Sequence, residues 1–192
     1  MVLVSCHLSL VTVPTTMSKF KEQRVGVLVD IQNMYYTARV LYGKKVNFKN
    51  ILEEAVSGRK LIRAIAYGVK TEEGMEAPFL EALENSGYEV KKKDLQIFAG
   101  GAKKADWDVG IAMDAVRFSK SMDVIVLVSG DGDYVPLLEY VQNTAGCRVE
   151  VIAFRESTSA KLIEQADEFL DLSEQKRKFL IGTASRRTTK KQ

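Results

Sequence analysis

The sequence predicts a three-layer α/β fold built on a mainly parallel sheet. Short apolar runs alternate with amphipathic stretches of helical period along most of the chain, the order that a parallel sheet with helical crossovers requires. The run Val124, Ile125, Val126, Leu127, Val128 is apolar throughout and β-branched at four positions, as expected of a strand covered on both faces. It then turns polar at once through Ser129, Gly130, Asp131, Gly132 and Asp133. Open α/β sheets place their sites where a buried strand ends in such a turn.

Residues 1–16, MVLVSCHLSLVTVPTT, differ in character from the rest of the chain. The apolar stretch is too short and interrupted to span a bilayer, and it lacks the basic start of a secretory signal. Met17-Ser18-Lys19 reads as an ordinary cytoplasmic start. Residues 1–19 are therefore expected to be an atypical or disordered extension, with 1–16 an overextended start; an extra strand is the alternative. Residues 20–172 read as the domain, and 173–192 as a charged segment with a basic tail.

The first strand spans 25–29 and ends at Asp30, with 31–33 as a turn and 34–41 as a short helix carrying Tyr35 and Tyr36. A helix follows over 48–56, then a strand over 61–69 and a helix over 75–85 whose Phe79, Leu80 and Leu83 mark one buried face. Residues 88–90 and 95–98 read as short extended pieces separated by Lys91, Lys92 and Lys93, and residues 100–104 as a flexible, positive loop. The next helix covers 106–118, with Val109, Ala112, Met113 and Val116 as its expected apolar stripe. After the strand at 124–128 come a helix over 134–144, with Pro136 in its first turn, a strand over 149–154, a short helix over 159–165 and an extended piece at 169–171.

Composition narrows the chemistry. The only histidine is His7, so no core imidazole is available. Cys6 and Cys147 imply no pairing, which fits a reducing, cytoplasmic setting. Seven of the 28 basic residues fall in 176–192, where there is no acid. The other 21 face 25 acids, so the body carries −4 and the tail the excess positive charge, which can touch phosphates without specificity or simply be solvated. No glycine-rich dinucleotide fingerprint follows the first strand, and no phosphate-binding loop motif occurs.

Four carboxylates stand where the C-terminal edge of a sheet could gather them: Asp30, Asp108, Asp131 and Asp133. Each alone could cap a helix. Two acids at the ends of strands of the same character point instead to a shared cluster, which must be neutralised by a cation. Oxygen donors without His or Cys favour Mg²⁺ or Mn²⁺ over zinc. Asn33 could add an oxygen or orient a substrate, and Ser129 could donate to a carboxylate or phosphate. Asp106 complements the helix dipole beside Asp108. Asp114 is a brace rather than a direct ligand, and its burial would require a partner. The chemistry such a site suits is metal-assisted hydrolysis of a phosphate ester. Lys103 and Lys104 could hold a phosphate backbone or be solvated. Tyr35 and Tyr36 could stack bases or pack against the body.

The segments VGVLVDIQNMYY, KKADWDVGIAMDAV and DVIVLVSGDGDYVPLLEYVQNTAGCRVEVIAF together resemble the NYN domain family, and more narrowly its LabA-like branch, related to PIN-domain nucleases. The likeness covers roughly residues 24–172. It implies a Rossmann-like, PIN-like sheet with a metal-binding acidic pocket and RNA as substrate. It places the family's acids at Asp30, Asp108, Asp114, Asp131 and Asp133, with Asn33 and Ser129 in the accompanying positions. The middle motif usually has glycine and a small apolar residue before its aspartate. Trp107 and Asp106 depart from that pattern, leaving Asp106 and Asp108 as alternatives for one ligand.

The function expected is an Mg²⁺- or Mn²⁺-dependent ribonuclease in which Asp30, Asp108 and Asp131 act at the metal, with Asp133 as a further ligand. A non-catalytic RNA-binding or regulatory module and a metal-dependent small-molecule phosphatase are the alternatives. Self-association is compatible with a domain of this size.

Overall fold

The computed structural model describes residues 19–70, 77–94, 96–97, 103–104 and 106–182. Its elements in order are β1 (Arg24–Asp30), α1 (Ile31–Tyr42), β2 (Lys45–Val46), α2 (Phe48–Val56), β3 (Lys60–Lys70), α3 (Ala77–Asn85), β4 (Glu89–Asp94), β5 (Gln96–Ile97), β6 (Lys103–Lys104), α4 (Asp108–Ser119), β7 (Val124–Val128), α5 (Val135–Ala145), β8 (Arg148–Ala153), α6 (Ala160–Gln165), β9 (Glu168–Asp171), α7 (Lys176–Phe179) and β10 (Leu180–Ile181).

Six strands form one sheet in the order β4-β3-β1-β7-β8-β9, and every pairing in it is parallel. The chain steps outward from β1 to β3 and β4, then crosses back to lay β7 against the other side of β1. The strand order therefore reverses between β1 and β7, and open α/β sheets form a crevice at such a point.

Alternation along the strands divides the core in two. Val25, Val27, Val29, Val124, Val126 and Val128 pack with α1 and α2 through Met34, Ala38, Ile51 and Ala55. Leu28, Ile125 and Leu127 face α4 and α5 through Ile111, Ala115, Leu138 and Val141. These are the three layers: helices, sheet, helices. Among the described residues no helix is long and apolar enough to cross a membrane.

Four local features differ from the sequence reading. No separate turn follows β1, because the Asp30 side chain caps α1 directly by accepting the Asn33 N–H. The lysine run does not interrupt the chain but lies inside β4, an edge strand of the kind that lysines commonly occupy. Lys103 and Lys104 form β6, antiparallel to β5, rather than a loop. The face of α4 is also different. Val109 and Met113 are 74% and 65% exposed, while Ile111, Asp114, Ala115, Phe118 and Ser119 are buried. A buried carboxylate occupies the middle of that face, so hydrophobicity alone points to the wrong side of the helix. Beyond residue 172 the chain continues to pack: Phe179 is fully buried, and β10 pairs with β2.

Candidate metal centre

Val29 lies opposite Val128, so Asp30 and the turn after β7 emerge together where the strand order reverses. Asp30 is only 8% exposed. Burial pushes its carboxyl up to about 6, the N–H groups of Asn33 and Gln32 resist, and the charges of Asp108 and Asp131 add to the rise. The Asn33 carboxamide oxygen accepts the Gly130 N–H at 3.0 Å. Ser129 is fully buried, and its Oγ accepts the Asp131 N–H at 3.3 Å. Asp131 Oδ1 in turn accepts the Asp133 N–H at 3.0 Å, an Asx turn that fixes the spacing of the two acids.

Gly130 and Gly132 serve close approach rather than unusual backbone torsion, for neither has a positive φ. A Cβ on Gly130 would lie 3.1 Å from the Ser157 carbonyl oxygen, and one on Gly132 would lie 2.8 Å from Ser159 Oγ. The Ser159 N–H donates to the Gly130 carbonyl at 3.0 Å. The acidic turn is thus clasped from one side by α1 and from the other by the segment after β8.

Asp108 opens α4 and completes the group. Its Oδ1 accepts the hydroxyl of the buried Tyr134 at 3.1 Å. Burial raises its pKa, the Tyr134 bond opposes that, and Asp106, Asp131 and Asp133 raise it further. One carboxylate oxygen from each of Asp108, Asp131 and Asp133 lies within 4.8 Å of the others. Asp108 and Asp131 are half-buried and Asp133 is exposed, so the group opens to solvent on one side. Asp30 is not one of the three, but it adjoins them closely enough to feel two of their charges. Clustered carboxylate oxygens without His or Cys are donors of the kind that a hard divalent cation takes.

The remaining sequence candidates separate. Asp106 precedes α4 and is half-buried; its carbonyl accepts from Lys93 Nζ at 3.1 Å. Asp114 is 7% exposed and lies outside the three-carboxylate group. It accepts the Tyr67 hydroxyl at 2.7 Å, the Arg117 guanidinium at 2.6 Å and the Lys91 ammonium. Burial opposes its ionisation, yet these partners hold it below the usual carboxylate range. It ties α4 to β3 and β4. Tyr35 is half-buried, and Tyr36 is 71% exposed on α1. The side chains of Lys103 and Lys104 lie outside the described residues.

The structural roles of several residues were not evident from the sequence. Tyr134, adjoining the SGDGD turn, supplies the hydroxyl to Asp108. Ser159 marks the limit of space at Gly132. Trp107 covers Gly110, whose Cβ would come within 2.6 Å of its ring, and its Nε1–H donates to the Gly68 carbonyl at 2.9 Å. The buried Cys147 thiol is pushed up to about 11 by burial, which makes it a poor nucleophile.

Comparison with known proteins identifies the family. The NYN domain model matches residues 24–173. The chain is 25% identical over 164 residues to the low amplitude and bright protein LabA of Synechococcus elongatus, covering 81% of this chain and 87% of that protein. It is also similar to the crystal structure of a protein of unknown function, VPA0982, from Vibrio parahaemolyticus. That likeness has a TM-score of 0.77 and 32% identity, and covers 86% of this chain and all of that one. A family match across the whole sheet, with its acids at the point where the strand order reverses, places this chain in the NYN domain family.

Proposed function

We propose that this protein is a divalent-metal-dependent ribonuclease. The observation that carries the reading is the convergence of Asp108, Asp131 and Asp133 within 4.8 Å, with the buried Asp30 beside them. Asp108, Asp131 and Asp133 hold an Mg²⁺ or Mn²⁺ ion, and Asp30 faces it from the end of β1. When bound, the ion supplies an acidified water and offsets negative charge on the phosphate. Asp30, buried beside these acids at the end of β1, is the carboxylate placed to accept a proton from the attacking water. Asn33, Ser129 and Tyr134 hold the acids in place through the hydrogen bonds described above. The open side at Asp133 admits an extended chain.

The test is cleavage of end-labelled single-stranded and structured RNA in Mg²⁺, Mn²⁺ or EDTA, with Asp131→Asn beside the wild type. Metal-dependent products that disappear in the variant support the reading. Identical products from both proteins would place the activity elsewhere. Binding of RNA without cleavage under any metal would put a regulatory RNA-binding module ahead of it.

A further inference from the structure

A body with a net charge of −4 that takes RNA to four carboxylates must present positive charge somewhere along the approach. One face does. Lys91 and Lys93 lie two apart on β4 and so point to the same side of the sheet, the side covered by α4. Lys93 Nζ sits 5.8 Å from the centre of the Trp107 ring, one residue from Asp108. Lys91 sits 5.6 Å from the centre of the Tyr67 ring and pairs with Asp114. Farther along α4, the guanidinium groups of Arg63 and Arg117 each lie 4.8 Å from the centre of the Phe118 ring. Arg63 pairs with Glu89, and the Arg117 side chain is 62% exposed.

These four cations, from β3, β4 and α4, form a row in the seam between α4 and the two strands that leads to Asp108. Glu89 and Asp114 pair within it, and Asp106 adjoins its Lys93 end. Among the described side chains, and short of Asp108 itself, the four cations exceed these three acids by one in an acidic body. Packing against aromatic rings limits the motion of the cations and reduces the entropy lost when a ligand is held. A single row suits one phosphate backbone rather than the two of a duplex. We propose that this seam is the track along which the backbone of single-stranded RNA reaches the metal centre. The identity of the polyanion rests on the ribonuclease reading.

The experiment is fluorescence anisotropy of a labelled single-stranded RNA oligonucleotide in EDTA across a series of salt concentrations. Lys93→Gln/Arg117→Gln is compared with Lys44→Gln/Lys49→Gln, which removes the same charge from exposed positions beside α1 and in α2, across the sheet from the seam. The seam variant should bind about tenfold more weakly at low salt, with a salt slope smaller by about 1.4, or about 0.7 for each lost phosphate contact. The control should stay within about twofold of wild type, and Lys93→Arg/Arg117→Lys should restore binding. Thermal melts of each variant, and Lys93→Gln alone, separate lost contacts from lost fold. Equal weakening in both double variants, unchanged affinity in the seam variant, or no RNA binding by the wild type overturns the track. Seam-dependent binding without cleavage in Mn²⁺ keeps the track and removes the ribonuclease reading.

Discussion

The Asn33 carboxamide oxygen accepts the Gly130 N–H across 3.0 Å, so the helix after β1 holds the turn after β7. This is the direct tie between the strand that carries Asp30 and the turn that carries Asp131 and Asp133. Asn33→Ala leaves the Gly130 N–H without its acceptor. Loss of such a bond costs about 1–3 kcal/mol of stability. Because the turn presents two of the three proposed ligands, Mn²⁺ affinity should fall about 10–100-fold. Urea unfolding and calorimetric titration with Mn²⁺ measure the two effects, and unchanged metal affinity would show that the turn stands without the latch.

Gly132→Ala tests the clasp on the other side. The new methyl would press on Ser159 Oγ and Cβ at 2.8 and 2.9 Å, and overpacking of this kind costs about 1–3 kcal/mol. Gly132→Ala/Ser159→Gly removes both contacting atoms. The double variant should recover most of the lost stability and metal affinity; failure to recover would mean that the glycine serves another purpose.

Asp30 contributes one defined part of the pH dependence of the metal-free protein. Its carboxyl is raised from 3.8 to about 6, so between those values the folded state holds a proton that the unfolded state releases. The corresponding stability is fully present below pH 3.8 and is lost as pH rises through about 6, a change of about 3 kcal/mol. Asp30→Asn keeps a capping side chain and should flatten this part of the profile. Chemical denaturation in EDTA from about pH 4 to about pH 8 spans this window, and a profile identical in the two proteins would assign the titration to another group.

A buried ion pair far from the acids separates folding from chemistry. Arg59 donates from both terminal nitrogens to Glu150, each at 2.8 Å, and the side chains are 1% and 5% exposed. Arg59→Met strands a buried carboxylate that, among the described residues, keeps Arg148, and breaking such a pair costs about 3–5 kcal/mol. At temperatures where the variant remains folded, its Mn²⁺ affinity should match wild type by calorimetry.

The two strand–acid–helix units were legible in the sequence because a fully buried strand must be apolar and its end must not be. Asp30 and the SGDGD turn could therefore be placed before any coordinates. The face of α4 was not legible. Asp114 is buried there because Lys91 and Tyr67 meet it from strands 23 and 47 residues away in the chain, and no local pattern announces partners at that range. The requirement for glycine at Gly130 and Gly132 was hidden for the same reason, since the crowding atoms belong to Ser157, Thr158 and Ser159. Tyr134 was visible as a helix start, but its bond to Asp108 depends on how α4 and α5 pack.

The central position of β1 sets the timing of assembly. Arg24 and Asp123 are joined by three hydrogen bonds although they are 99 residues apart, and β1 has no neighbour on that side until β7 is made. During synthesis the first strand must wait, half-covered, for most of the domain to leave the ribosome. Contacts this distant slow folding. Asp30, at the end of β1, is thus the first of the site's acids to be made, ahead of those on α4 and after β7.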